Sequence, residues 1–390
     1  MVTAALFLAL APLLVLIVFF SIEVALGLLP LSSRGDRTQT CPSAVIIVPA
    51  HDEATIIGET HRGLRAALSR EMRIVVVADN CSDATAEHAI AAGADVLERC
   101  DPCRRGKGFA LAFGVEQLAA DPPHVVVVID ADCAIDKQSL RALVDQAAES
   151  GHPCQAINLL RPDRAAAPLV QISAFAFMFK NLVRQRGLQR VAGRVHLTGT
   201  GMAIPFWLVS TSLLASDNIV EDLSLGLEMS ARGWPPQLCS RALVSSSSAA
   251  KDDALVQRRR WEGGFIATSL RLAPPLFIGA LLRRDLCAAL AALDLMIPPL
   301  ALFTFINLAA LAAMSTIVFV LDAGLLPLAV FAAVSGLAAV LVLAAWLTEG
   351  RQFVSLKVLA RIPLYLVWKV PLYLSLARRG APREWLRTRR

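Results

Sequence analysis

At 390 residues the chain has room for one large domain with appendages, and a 56% hydrophobic content with a mean hydropathy of +0.57 exceeds ordinary globular composition. The excess lies at the two ends, which points to membrane helices flanking a water-facing domain. A net charge of +6 is carried by cations clustered beside apolar segments, a pattern that suits anionic lipid and speaks against nucleic acid as a partner.

Residues Ala4–Leu31 are almost wholly apolar, with Glu23 as the single charge. The stretch is long enough for a membrane helix, and neither a preceding basic residue nor a clear small-residue cleavage site marks it as a secretory signal. Residues 1–31 are therefore expected to be a retained transmembrane helix, and 32–43, with Arg34 and Arg37, a polar linker. A short apolar strand, Ala44–Val48, then ends in Pro49-Ala50-His51-Asp52-Glu53. Ile56, Ile57, Leu64 and Leu68 follow at helical spacing. A second strand, Arg73–Ala78, ends at Asp79-Asn80; Ser82 or Asp83 can cap the next helix, which stops near Gly93. A third strand over Ala94–Leu97 leads past a lone Cys100-Asp-Pro-Cys103 to Arg104-Arg105-Gly106-Lys107-Gly108. With no second cysteine pair, the eight scattered cysteines read as reduced thiols in a cytosolic domain and not as a zinc site.

After another helix comes the sharpest stretch of the chain, Val125–Asp132. Five β-branched residues predict a buried parallel strand, and Asp130 and Asp132 close it. Residues two apart in an extended chain share a face, so both carboxylates can turn to one point at the strand's carboxyl end, where open α/β sheets bind ligands. Two hard oxygen donors there suit Mg²⁺ or Mn²⁺ beside a phosphate; taken alone, they equally fit solvated loop acids. Strand and helix alternate over Ala44–Leu160, which predicts an α/β fold with a doubly wound, mostly parallel sheet. Neither a P-loop nor a dinucleotide fingerprint is present.

Pro168–Arg190 pairs Phe175, Phe177 and Phe179 with Lys180, Arg184, Arg186 and Arg190, as in a helix on the bilayer, along a channel or in a core. Thr198-Gly199-Thr200-Gly201 is a small-residue turn that either approaches a sugar or simply joins strands. Glu221-Asp222 opens a helix, where acids are favoured by the macrodipole whatever their task. In Gln257-Arg258-Arg259-Arg260-Trp261, arginines adjoin an indole. That suits a basic membrane-surface helix, or a cation facing a leaving diphosphate with an aromatic platform for a sugar. The remaining divisions are an interfacial segment over 266–297, a transmembrane helix over 298–321 and a short external loop over 322–324. A second such helix covers 325–347, and a cytosolic or interfacial segment 348–390. The loop lacks Lys and Arg, whereas Arg283, Arg284, Arg351, Lys357 and Arg361 lie on the other side, which predicts a multi-pass protein of the cytoplasmic membrane with its α/β domain in the cytosol.

In this order the motifs resemble those of the membrane-bound family 2 glycosyltransferases, the group of cellulose, hyaluronan and poly-N-acetylglucosamine synthases and ceramide glucosyltransferase. The resemblance implies a GT-A fold over 44–265 and an inverting transfer from a nucleotide-sugar donor, UDP-linked by family habit. Pro49, His51, Glu53 and Asp79 would then face the nucleotide. Lys107, Asp130 and Asp132 would hold the donor, with Asp132 binding Mg²⁺ or Mn²⁺. Asp222 would be the general base, with Val220 standing where the family has threonine. Glu221, Gln257, Arg260, Trp261, Gly199 and Gly201 would serve the acceptor and the diphosphate. A polysaccharide or lipid-linked acceptor is implied, with single-sugar transfer to a membrane lipid as the alternative. A non-catalytic sugar-nucleotide-binding membrane subunit is the remote one.

Overall fold

The computed structural model describes residues 2–31, 42–209, 214–215, 220–247 and 251–379; the side chains of Val2, 251–260, Ala377 and Arg379 lie outside that description. Two compact units divide the chain. One comprises residues 31–161 with 194–248, the other 1–30 with 162–193 and 249–390.

The first unit is built on an eight-stranded sheet. Its strands are β1 (Ala44–Ala50), β2 (Met72–Asp79), β3 (Asp95–Arg99), β4 (Val125–Val128), β5 (Cys133–Ile135), β6 (Cys154–Leu160), β7 (Met202–Pro205) and β8 (Gln237–Ser246), in the order β3-β2-β1-β4-β7-β6-β8-β5. The first four in that order run parallel, as the alternating pattern requires. β7 is antiparallel to both β4 and β6, and β5 is antiparallel to β8, so the sheet is mixed. Alternate residues of one strand enter opposite cores. Ile46, Val48, Val125 and Val127 join the cluster on one face, while Val45, Ile47, Val126 and Val128 join the other. This is the reason the strands read as unbroken β-branched runs: both faces are covered. Ile47 aligns with Val128 and Ala50 with Ala78, so the chain leaves β1, β2 and β4 at a common edge, with His51, Asp79 and Asp130 just at or beyond it.

The second unit is helical. Thr3–Gly27, Trp261–Leu282, Leu300–Val320 and Leu326–Gly350 are each long and apolar enough to cross a membrane, by length and composition. The second of these begins at the end of the stretch expected above to be the α/β domain and runs through the first part of the 266–297 segment expected to lie at the membrane surface. Its run is masked in the sequence by Glu262, Arg271 and the Pro274-Pro275 pair, which the 32-residue helix Lys251–Leu282 nevertheless contains. Leu286–Met296 and Ile362–Leu376 are shorter apolar helices. Inside this unit Arg184 pairs with two acids. Its Nε donates to Glu23 Oε2 at 2.9 Å, its Nη2 to Asp294 Oδ1, and Glu23 is wholly buried. Arg190 donates to the carbonyl oxygens of Leu26, Leu29 and Pro30, satisfying the open end of the N-terminal helix.

Candidate active site

β4 ends at Val128, two residues before Asp130, and the loop that follows is pinned at several points. The Asp130 amide donates to Thr200 Oγ1 at 3.1 Å, the Thr60 hydroxyl to the carbonyl of Ala131 at 2.5 Å, and the Cys133 amide to the carbonyl of Asp130 at 3.0 Å. The two aspartates are thereby fixed at the backbone, before any ligand arrives.

Facing them is the turn Thr198–Gly201. The side chain of Gln155, 1% exposed on β6, organises it. Its Oε1 accepts from the amide of Thr198 at 2.9 Å, and its Nε2 donates to the carbonyl of Thr200 at 2.8 Å. Asn158 on the same strand reaches the Thr198 carbonyl at 3.4 Å. Gly199 adopts φ +85°, a region that strains any residue with a Cβ. A Cβ there would also stand 3.2 Å from Asp222 Oδ2 and 3.5 Å from Lys107 Nζ. The turn is thus glycine for two reasons, its backbone angle and the carboxylate against it.

Lys107 begins the helix Lys107–Gln117 behind Gly106. Its ammonium pairs with Asp130 Oδ1 and donates to the Gly199 carbonyl at 2.6 Å. Burial works against that charge, but Asp130, Glu221 and Asp222 outweigh it and hold the pKa above the usual lysine value. Glu221 and Asp222 open the helix Glu221–Ala231. They border a small cavity whose apolar walls include Leu111, Met202, Leu214 and Leu225. Burial and the neighbouring Asp222 push the Glu221 carboxyl up to about 7, with Lys107 pulling the other way. The local device is therefore one lysine among three carboxyl groups, of which Glu221 is half-protonated near neutrality.

A second cluster occupies the ends of β1 and β2. Asp79, 5% exposed, accepts at Oδ1 from Arg99 at 2.5 Å and from Asn80 at 3.0 Å. Arg99 also reaches Asp101 at 3.1 Å. His51 Nδ1 lies 2.7 Å from the Asp79 carbonyl, and Asp52 accepts from the Ser82 amide at 2.6 Å. The amide of Glu53 donates to Thr85 Oγ1 at 2.7 Å, while Pro49 sits within β1 opposite Val77.

Asp130, Asp132 and Cys133 offer ligand atoms that all lie within 4.8 Å of one another. Burial, then Asp132 and Asp130, hold the Cys133 thiol well above its usual pKa, so it presents no thiolate. With Asp130 also engaged by Lys107, the donor set is a carboxylate-rich corner, which fits a hard divalent cation.

A family model described as glycosyltransferase-like family 2 matches residues 42–264. The chain belongs to that family. The transferase is also similar in structure to the mannosyltransferase PcManGT from Pyrobaculum calidifontis, solved with GDP-mannose and Mn²⁺. The TM-score is 0.55 at 18% identity, covering 94% of this chain and 99% of that one, and the shared fold is GT-A. In sequence it is 33% identical over 107 residues to the low-salt glycan biosynthesis hexosyltransferase Agl6 of Haloferax volcanii. That match takes in 27% of this chain and spans about a quarter (24%) of the relative.

Lys107, Asp130, Gly199, Glu221 and Asp222 are brought together in the transferase. His51 and Asp79 stand in the neighbouring cluster at the same sheet edge. Gly201 continues the turn with φ +65°, its amide bonded to Val128 at 2.8 Å. Trp261 belongs to the helical unit and packs on Phe177, with ring centroids 5.6 Å apart. The side chains of Gln257 and Arg260 lie outside the described residues. Gln155 and Arg99 were missed from the sequence; a glutamine inside the apolar strand Cys154–Leu160 was the available signal for the first.

Proposed function

We propose that this enzyme moves a hexose, with inversion, from a nucleoside-diphosphate sugar to a membrane-borne acceptor, either a growing glycan or a lipid-linked carrier. The observation that carries the reading is the convergence of Asp222 with Lys107, Asp130 and Gly199 at one point. Asp222 would accept the proton of an acceptor hydroxyl as its oxygen attacks the anomeric carbon. A neighbouring Glu221 that is only partly ionised near pH 7 spares Asp222 a full like-charge repulsion. Lys107 fixes Asp130 and the Gly199 carbonyl so that the donor meets a preformed cradle. Asp132, with Asp130 beside it, would hold Mg²⁺ or Mn²⁺, which when bound neutralises charge on the leaving diphosphate. The His51–Asp79–Arg99 cluster is assigned to the base and ribose, and Glu53 and Pro49 to the same wall. Gln257, Arg260 and Trp261 are assigned to the acceptor and diphosphate, as the motif resemblance implies.

For the bilayer, charge favours one choice among the four long helices. Crossing by Thr3–Gly27, Leu300–Val320 and Leu326–Gly350 keeps Arg34, Arg37, Arg283, Arg284, Arg351, Lys357 and Arg361 on one side, with the sheet, and leaves the Lys- and Arg-free turn 321–325 on the other. That supports a cytosolic sheet at the cytoplasmic membrane, with Trp261–Leu282 along its surface.

The test uses the detergent-solubilised full chain with a panel of GDP- and UDP-hexoses plus Mg²⁺ or Mn²⁺. Nucleoside diphosphate release is scored with and without an extract of native membranes, and product length is read on a sizing gel. Asp222→Asn is expected to remove transfer while GDP or UDP affinity stays within about threefold. Retained turnover in Asp222→Asn would show that another group is the base.

A further inference from the structure

We infer that Lys369 and Tyr373 are positioning residues for the Gln257–Trp261 segment, acting through Glu262. The inference rests on the reading above that this segment serves transfer. Glu262 directly follows Trp261 in the helix Lys251–Leu282. Both of its carboxylate oxygens are engaged from the helix Ile362–Arg379. Oε1 pairs with Lys369 Nζ, 107 positions away, and Oε2 accepts from the Tyr373 hydroxyl at 2.9 Å. Lys369 is 0% exposed. Its ammonium lies 5.6 Å from the ring centroid of Tyr365 and 6.0 Å from those of Trp368 and Tyr373.

An ammonium taken out of water is strongly disfavoured unless a carboxylate and polarisable faces replace its hydration, and here both are supplied. Such a pair is a poor way to stabilise a helix contact, since well-packed apolar side chains of similar volume often do as well or better. What it adds is register. Lys369 and Tyr373 are four residues apart and share one helix face, and they meet a single carboxylate. A turn of the Lys251–Leu282 helix by one residue, about 100°, would carry Glu262 away from both and strand a buried charge. Phe177 meets the preceding residue, Trp261, in a tilted ring contact with an interplanar angle of 33°. The helix is thus gripped at two successive positions, Trp261 and Glu262, directly after the Gln257–Arg260 turn, which fixes its register there.

The experiment compares Lys369→Met, Tyr373→Phe, the pair Glu262→Gln/Lys369→Met, and Arg260→Ala in the solubilised full chain. Two readouts are taken: affinity for GDP and UDP by calorimetry, and turnover with native-membrane extract. Lys369→Met is expected to lower turnover at least tenfold, with diphosphate affinity falling no further than in Arg260→Ala. Tyr373→Phe should lower turnover three- to tenfold, and the paired variant should regain at least threefold over Lys369→Met. Turnover of Lys369→Met within twofold of wild type, or a loss of diphosphate affinity beyond that of Arg260→Ala, overturns the inference. Should Lys369→Met fail to fold, Tyr373→Phe decides alone: wild-type turnover overturns, and reduced turnover with affinity no lower than that of Arg260→Ala supports. Unchanged turnover in Arg260→Ala beside a loss in Lys369→Met places the failure in the reading of the segment. The reverse pattern places it in the Glu262 contact.

Discussion

Replacing Lys107 by methionine would keep most of the side chain's volume and remove the one ammonium held among Asp130, Glu221 and Asp222. Lys107 is 15% exposed and Asp130 35%, so the pair is only partly shielded from water. Breaking a buried pair by removing one partner costs about 3–5 kcal/mol, and partial exposure places this one near about 3 kcal/mol. At about 2–4 °C per kcal/mol, the melting transition should fall by about 6–12 °C at pH 8. The pH dependence has a definite sign. The folded Glu221 carboxyl already titrates at about 7 instead of 4.5, and a carboxyl raised on folding stabilises the folded state below its unfolded pKa and loses that contribution as pH rises through the folded value. That difference corresponds to about 3 kcal/mol in wild type. Removing the lysine raises the Glu221 carboxyl further, because Lys107 is what lowers it. The variant should therefore trail wild type already at pH 5, where the Asp130 pair is broken, and trail it further as pH rises past about 7. Differential scanning fluorimetry at both pH values measures the gap. A gap under about 2 °C at pH 8, or one equal at pH 5 and pH 8, would refute the placement of this charge.

Gly199→Ala puts a Cβ at φ +85° and 3.2 Å from the Asp222 carboxylate; turnover should fall at least tenfold for a stability loss of about 1–2 kcal/mol, read by steady-state kinetics beside thermal melts. Gln155→Leu leaves the amide of Thr198 and the carbonyl of Thr200 without their partner, so a loss of about 2–4 kcal/mol in urea unfolding and an abolished turnover are expected. Asp132→Asn should raise the Mn²⁺ concentration for half-maximal diphosphate release at least tenfold, as measured by metal titration after chelation.

Much of the sheet was legible because a strand covered on both faces must be apolar at every position. Val125–Val128 and Ala44–Val48 satisfy that and could be read directly, though the latter strand runs on to Ala50. β7 and β8 escaped the pattern for the opposite reason. β7 is four residues long behind a glycine turn, and β8 carries Ser240, Arg241 and Ser245. Their places, β7 antiparallel to β4 and β6 and β8 parallel to β6 but antiparallel to β5, depend on partners far along the chain, which local sequence does not encode. At the site, Asp130 and Asp132 were found from strand geometry, and Asp222 only through motif resemblance, because an acid in a first helical turn is common. The Arg99–Asp79 pair joins two strand ends 20 residues apart and could not be read before the register of β2 and β3 was known.

The Glu23–Arg184–Asp294 contact has a consequence for how the protein is made. During synthesis Glu23 emerges on the first apolar helix 161 positions ahead of the guanidinium that neutralises it, and 110 more pass before Asp294 completes the set. Until then that helix carries an unmatched acid through an apolar setting, where such a group is strongly disfavoured. The N-terminal helix is thus not an interchangeable anchor: removing it to obtain a water-soluble fragment would leave Arg184 with half its counter-charge, and grafting on another protein's membrane helix would do the same.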